Sequence, residues 1–106
     1  MCKTRILTTK GETVISSCME CRMYYIWHNN LVLNFSELAF GSFQEVVNSL
    51  PFDRNALPFP DGDDRIILHT PYDDISFAFD EDEFHSFRSA IDEAIYMNEV
   101  YTLMNK

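Results

Sequence analysis

The sequence predicts an α+β fold: two ββα repeats forming an antiparallel sheet with two helices on one face, preceded by an N-terminal β-hairpin. Three observations carry this. Apolar residues alternate with a period of two through Leu31, Leu33 and Phe35 and again through Ile75, Phe77 and Phe79, the mark of half-buried strands. The chain also superposes on itself at an offset of 44 residues, "LVLNFSELAFGSFQEVVNSL" (31–50) falling on "ISFAFDEDEFHSFRSAIDEA" (75–94). Each copy then passes from strand to helix through the same capping pattern.

In chain order, residues 1–22 form the N-terminal hairpin and a CxxC knuckle. "TRILTT" and "ETVISS" flank Lys10-Gly11, and a two-residue loop there would set Lys3 opposite Cys18 and Cys2 opposite Met19. Residues 23–50 are the first repeat. "MYYIW" and "LVLNF" flank "HNN", in which Asn29 and Asn30 tolerate the positive φ of a tight turn. Ser36 is the expected N-cap, with Phe35 and Phe40 as a hydrophobic staple. Gly41 inside this helix costs about 1 kcal/mol relative to alanine and suggests a close approach. Pro51 ends the helix.

Residues 51–64, "PFDRNALPFPDGDD", read as a linker that lies across the core through Phe52, Leu57 and Phe59. Residues 65–106 are the second repeat. "RIILH" and "ISFAF" flank "TPYDD", Asp80 is the N-cap, Asp80 and Glu83 form a capping-box pair, and Phe79 with Phe84 repeats the staple. One domain accounts for all 106 residues.

Composition narrows the setting. With 46% hydrophobic residues the chain can build a core, which disorder could not. It has no apolar run of membrane-spanning length, and its start lacks the pattern of a secretory signal, so a cytoplasmic setting is expected. Residues 1–60 carry five basic and five acidic side chains, so the whole net charge of −9 arises from residues 61–106, where twelve acids face Arg65, Arg88 and Lys106. That half would repel phosphate backbones and anionic lipid. Nucleic acid is disfavoured as a partner, and a membrane is excluded from the reading.

The chemistry-bearing residues are Cys2, Cys18 and Cys21, whose sulfurs the first hairpin would bring together. A structural zinc site needs four ligands, commonly Cys₄ or Cys₃His. Three are present, and His69 or His85 would have to complete the set through the tertiary fold. His28 lies too far along its strand. A redox pair is a second reading, and plain buried thiols are a third. The remaining signals are weaker. "PDGDDR" lacks the spacing of a calcium loop and reads as a turn. No catalytic triad or phosphate loop is present, and Tyr24, Tyr25 and Trp27, which could form a stacking surface, read instead as strand aromatics of the core.

Taken together, Cys2, the CxxC opening a strand, "NNLVLNF" and the paired phenylalanines entering a helix resemble a family of small uncharacterised proteins from Bacteroidota. The resemblance implies a bacterial cytoplasmic setting, and Cys2, Cys18 and Cys21 match that family's cysteine positions. It implies no activity.

The expected function is accordingly a small non-catalytic interaction or adaptor module, with zinc as its candidate cofactor. The alternative is a thiol-dependent enzyme, or a redox or metal sensor, centred on the same cysteines. A partner surface is suggested by the C-terminal helix. Phe84, Phe87, Ile91 and Ile95 form one stripe, and Met97, Val100, Tyr101 and Met104 form another, displaced around the helix. Either the N-terminal hairpin covers that second stripe, or a second subunit does in a homodimer.

Overall fold

The computed structural model describes residues 3–104. Its first half is a meander: β1 (Thr4–Lys10), β2 (Thr13–Cys18), β3 (Met23–His28) and β4 (Leu31–Ser36) pair in that order into a four-stranded antiparallel sheet. Each turn is short enough that consecutive strands become neighbours. Gly11 at φ +55° and Asn29 at φ +55° supply the left-handed backbone that two of these turns require.

The first hairpin is registered differently from the expectation. Its loop is Gly11-Glu12, with Lys10 opposite Thr13, because glycine takes the positive φ without steric cost at the first loop position. The ladder then shifts by one residue between Ile6 and Thr8, so Thr4, not Lys3, faces Cys18. Leu7 is the extra residue of this bulge, and both Leu7 and Thr8 point into the protein.

The sheet also has a different membership. It combines the N-terminal hairpin with the hairpin of the first ββα unit, whereas the repeat predicts that the two ββα units share one sheet. The second unit's hairpin, β6 (Asp64–His69) with β7 (Ser76–Phe79), belongs to a separate three-stranded sheet. Its third strand is β5 (Leu57–Pro58), which pairs with β6 and comes from the stretch read as a linker. On the other side, the Tyr72 hydroxyl donates to the Asn34 carbonyl on β4.

Three helices complete the chain: α1 (Glu37–Ser49), the single turn α2 (Phe52–Asn55) and α3 (Glu81–Met104). The Ser36 hydroxyl accepts from the Ala39 N–H at 3.1 Å and so caps α1. At α3 the cap is reciprocal: the Glu83 N–H donates to Asp80 Oδ1 at 2.8 Å, and the Asp80 N–H donates to Glu83 Oε1 at 3.0 Å. Glu81, Asp82 and Glu83 place negative charge against the positive end of the helix dipole. Gly41 does not mark a close approach, since a Cβ built there meets nothing within 4 Å.

One core joins both sheets. Phe35, Phe40 and Phe43 from the first half meet Phe77, Phe79 and Phe87 from the second, with Phe43 and Phe87 centred 6.2 Å apart. Each such ring contributes roughly 1.5–3 kcal/mol by leaving water. Ala90 and Ala94, both fully buried, let α3 run close to its neighbours. With 24 residues, α3 is about 36 Å long at 1.5 Å per residue, and the molecule measures 49 × 23 × 22 Å.

Candidate functional site

α3 lies lengthwise on the first hairpin, and side chains fix it there. Thr8 Oγ1 donates to Glu93 Oε1 at 2.7 Å, and Lys10 Nζ lies 3.2 Å from Glu93 Oε2. Ser17 Oγ donates to Asn98 Oδ1 at 3.3 Å, and the Arg5 guanidinium sits 4.3 Å above the Tyr101 ring. These contacts leave a cleft of about 440 Å³ between the β2–β3 turn, the start of α1 and the last turns of α3.

The floor of the cleft holds three buried polar or sulfur-bearing side chains, Ser17, Cys18 and Tyr24. Tyr24 stacks on Phe40 at 4.1 Å, an arrangement that fixes the phenol in place. Burial raises the Tyr24 phenol above its ordinary range; Glu37 and then Glu99 push it the same way, and a hydrogen bond with Asn98 partly opposes them. Glu37, Glu99 and Arg22 stand exposed at the rim. Arg22 has φ +54°, a conformation that non-glycine residues adopt at a steric cost. Among the described residues none of these three charged groups is ion-paired.

Of the residues expected to bind zinc, Cys2 lies outside the described residues. Cys18 ends β2 as a free thiol only 1% exposed. Cys21, in the turn that follows, is disulfide-bonded. His69 ends β6 and pairs its Nδ1 with Ser76 Oγ at 3.0 Å, while His85 lies near the start of α3 beside Arg88. The part of α3 that flanks Cys18 begins at Ile95, about 15 Å along the helix from His85. The structure therefore places His85 away from Cys18. Of the second helical stripe, Met97 and Tyr101 pack against the core, Val100 is half-buried and Met104 is 71% exposed.

A second surface lies on the opposite side of the four-stranded sheet. Both α1 and α3 pack on one face, and among the described residues no element covers the other. There Thr9, Val14, Trp27 and Val32 form one row across the strands, and Ile6, Ser16, Tyr25 and Asn34 form the next. Ile6 is 63% exposed, Val32 47% and Trp27 54%, so Trp27 is not the core aromatic the sequence suggests. It lies an odd number of residues from the buried Tyr24 and Ile26 and falls on the face without helices. Neither row contains a charged residue. The charged side chains on these strands lie on the α3 side instead, Arg5 over Tyr101 and Lys10 beside Glu93.

A family model described as a family of unknown function, DUF6686, matches residues 1–56, more than half of the chain. The chain belongs to this family. The DUF6686 match contains the whole four-stranded sheet, with its uncharged face, the CxxC turn and α1. The α3 wall of the cleft lies beyond it. No curated protein matches the chain, and no solved structure does.

Proposed function

We propose that the protein is a non-catalytic interaction module that docks a protein partner on the uncovered face of its four-stranded sheet. The observation that carries this reading is the charge distribution. A chain with a net charge of −9 leaves two cross-strand rows entirely neutral while exposing Trp27, Val32 and Ile6 in them. Large apolar side chains grouped on an exposed surface are a feature of interaction sites, and Trp and Tyr are the residues most enriched among binding hot spots. The acids of α3 lie on the opposite side of the sheet, so a partner approaching the neutral face avoids them.

A photo-crosslinking residue tests this in the native host. Placed at position 27, it yields a discrete protein adduct, either with another protein or with a second copy. Placed at position 96, exposed on α3, it yields none. Equal labelling at both positions ends the proposal.

The cysteine end supports a second reading, zinc held by Cys2, Cys18 and Cys21. It is favoured by Cys18 ending β2 and Cys21 lying three residues on, within the short connection to β3. This reading requires the Cys21 disulfide to be reduced and a fourth ligand to be supplied. Elemental analysis of protein purified under reducing conditions checks it: near-stoichiometric zinc, lost in Cys21→Ser, supports the site, and metal-free protein of equal stability removes it.

A further inference from the structure

The geometry points to the cleft beside Cys18 as a binding site for a small zwitterion of the α-amino-acid class. Its volume, about 440 Å³, lies within the range of small-molecule sites. Its charge pattern selects the ligand. Arg22, Glu37 and Glu99 line the same cavity, yet no ion pair joins the guanidinium to either carboxylate. Opposite charges that share a cleft without neutralising each other leave a place for a molecule that carries both signs. A carboxylate can then take the bidentate fork of the guanidinium, and an ammonium group can take the carboxylates.

The backbone gives independent support. Arg22 occupies a left-handed conformation at φ +54°, where glycine would fit without steric cost. A non-glycine residue held in this region at the edge of a cleft is a reason to look for a role in its side chain. The walls set the rest of the ligand. Met19, Met23 and Ile95 line the cavity beside the polar groups, so the zwitterion carries an aliphatic side chain. Asn98 is already engaged by Ser17 and Tyr24, and therefore holds the floor in place more than it is free to contact a ligand. This proposal is independent of the docking face, which lies on other residues.

The test uses three probes on the isotope-labelled full chain: L-leucine, 3-methylbutylamine, which lacks the carboxylate, and 4-methylpentanoate, which lacks the ammonium. L-leucine is expected to give saturable NMR shifts at the Asn98 side-chain amide and at Met23. Each singly charged analogue should bind about tenfold more weakly or worse, since a site built for a polar group rejects the analogue without it. Arg22→Gly suits its backbone conformation and should keep the melting temperature while weakening leucine binding by a similar factor. The Glu37→Gln/Glu99→Gln pair should do the same. Absence of saturable leucine binding overturns the proposal. So does equal binding of the amine, which would make this a cation site only, or unchanged leucine affinity in a folded Arg22→Gly variant.

Discussion

Thr8 and Glu93 are 85 residues apart in the chain and share a 2.7 Å hydrogen bond from Thr8 Oγ1 to Glu93 Oε1. The bond ties the bulged part of β1 to the middle of α3. The Thr8 hydroxyl, and after it Lys10, holds the Glu93 carboxyl below its usual range. A lowered folded-state pKa stabilises the fold fully above the unfolded value and loses that contribution as pH falls through the folded value. Thr8→Val should therefore lower the melting temperature near pH 7. The difference from wild type should shrink as acid protonates Glu93. A constant difference from pH 7 to pH 3, measured by circular dichroism, would show that the bond contributes nothing through charge.

Gly41→Ala should stabilise the protein by about 0.5–1 kcal/mol, because alanine favours the helix and restricts the unfolded chain. The added Cβ meets no atom within 4 Å. Urea denaturation with an unchanged slope and a higher midpoint checks this, and a lower midpoint contradicts it.

His28 couples stability to pH in a different window. Its ring bonds Thr13 Oγ1 at 2.9 Å and meets Phe77, Phe79 and Phe87 edge-on. Burial lowers its pKa, and the nearby carboxylates Glu83 and Glu12 only partly counter that. The unfolded chain thus takes up a proton first as pH falls below about 6.5, and the folded state loses stability from there down to the folded pKa. Wild type should lose more stability between pH 7.5 and 5.5 than His28→Gln. Parallel melting profiles of the two proteins would refute this.

Phe87→Ala should cost about 3–5 kcal/mol, the usual range for emptying a buried phenylalanine site. Phe87 is 1% exposed, and its ring lies 4.9 Å from Phe79 and 5.1 Å from Phe77. Such a loss is a large share of the 5–15 kcal/mol typical of domains. Cooperative unfolding at an unchanged denaturant midpoint would show that the two halves do not share this core.

Local signals were legible in the sequence where one short segment decides the outcome. The Ser36 and Asp80 caps and the Asn29 turn depend only on residues a few positions away, and the alternation in residues 31–35 reveals which side of β4 is buried. Long-range partnership was not legible. The shift beside Leu7 has no distinctive residue to announce it, and it moves Thr4 opposite Cys18. Nothing in the repeat shows that β3 pairs with β2 on one side while β6 pairs with β5 elsewhere. The cleft depends on Ser17 meeting Asn98, 81 residues away, through a helix whose rotation the core determines. The uncharged face could have been found by pairing alternate residues of β2, β3 and β4, but only with the register known.

The length of α3 makes it a phase reference for the whole molecule. Phe84, Phe87 and Ile91 point into the core shared with β6 and β7, while Glu93, Asn98 and Tyr101 meet β1 and β2 further along the same rod. An α-helix advances about 100° and 1.5 Å per residue. One alanine inserted after Ala94 would leave the phenylalanines seated and swing Asn98 and Tyr101 about 100° away from Ser17 and Arg5. A second insertion would not restore them, whereas a total of four, about 400°, would nearly return the original angle with a 6 Å offset. The two sheets are thus kept in angular agreement by uninterrupted helical winding, and the cleft is sensitive to the number of residues in that segment as well as to their identity.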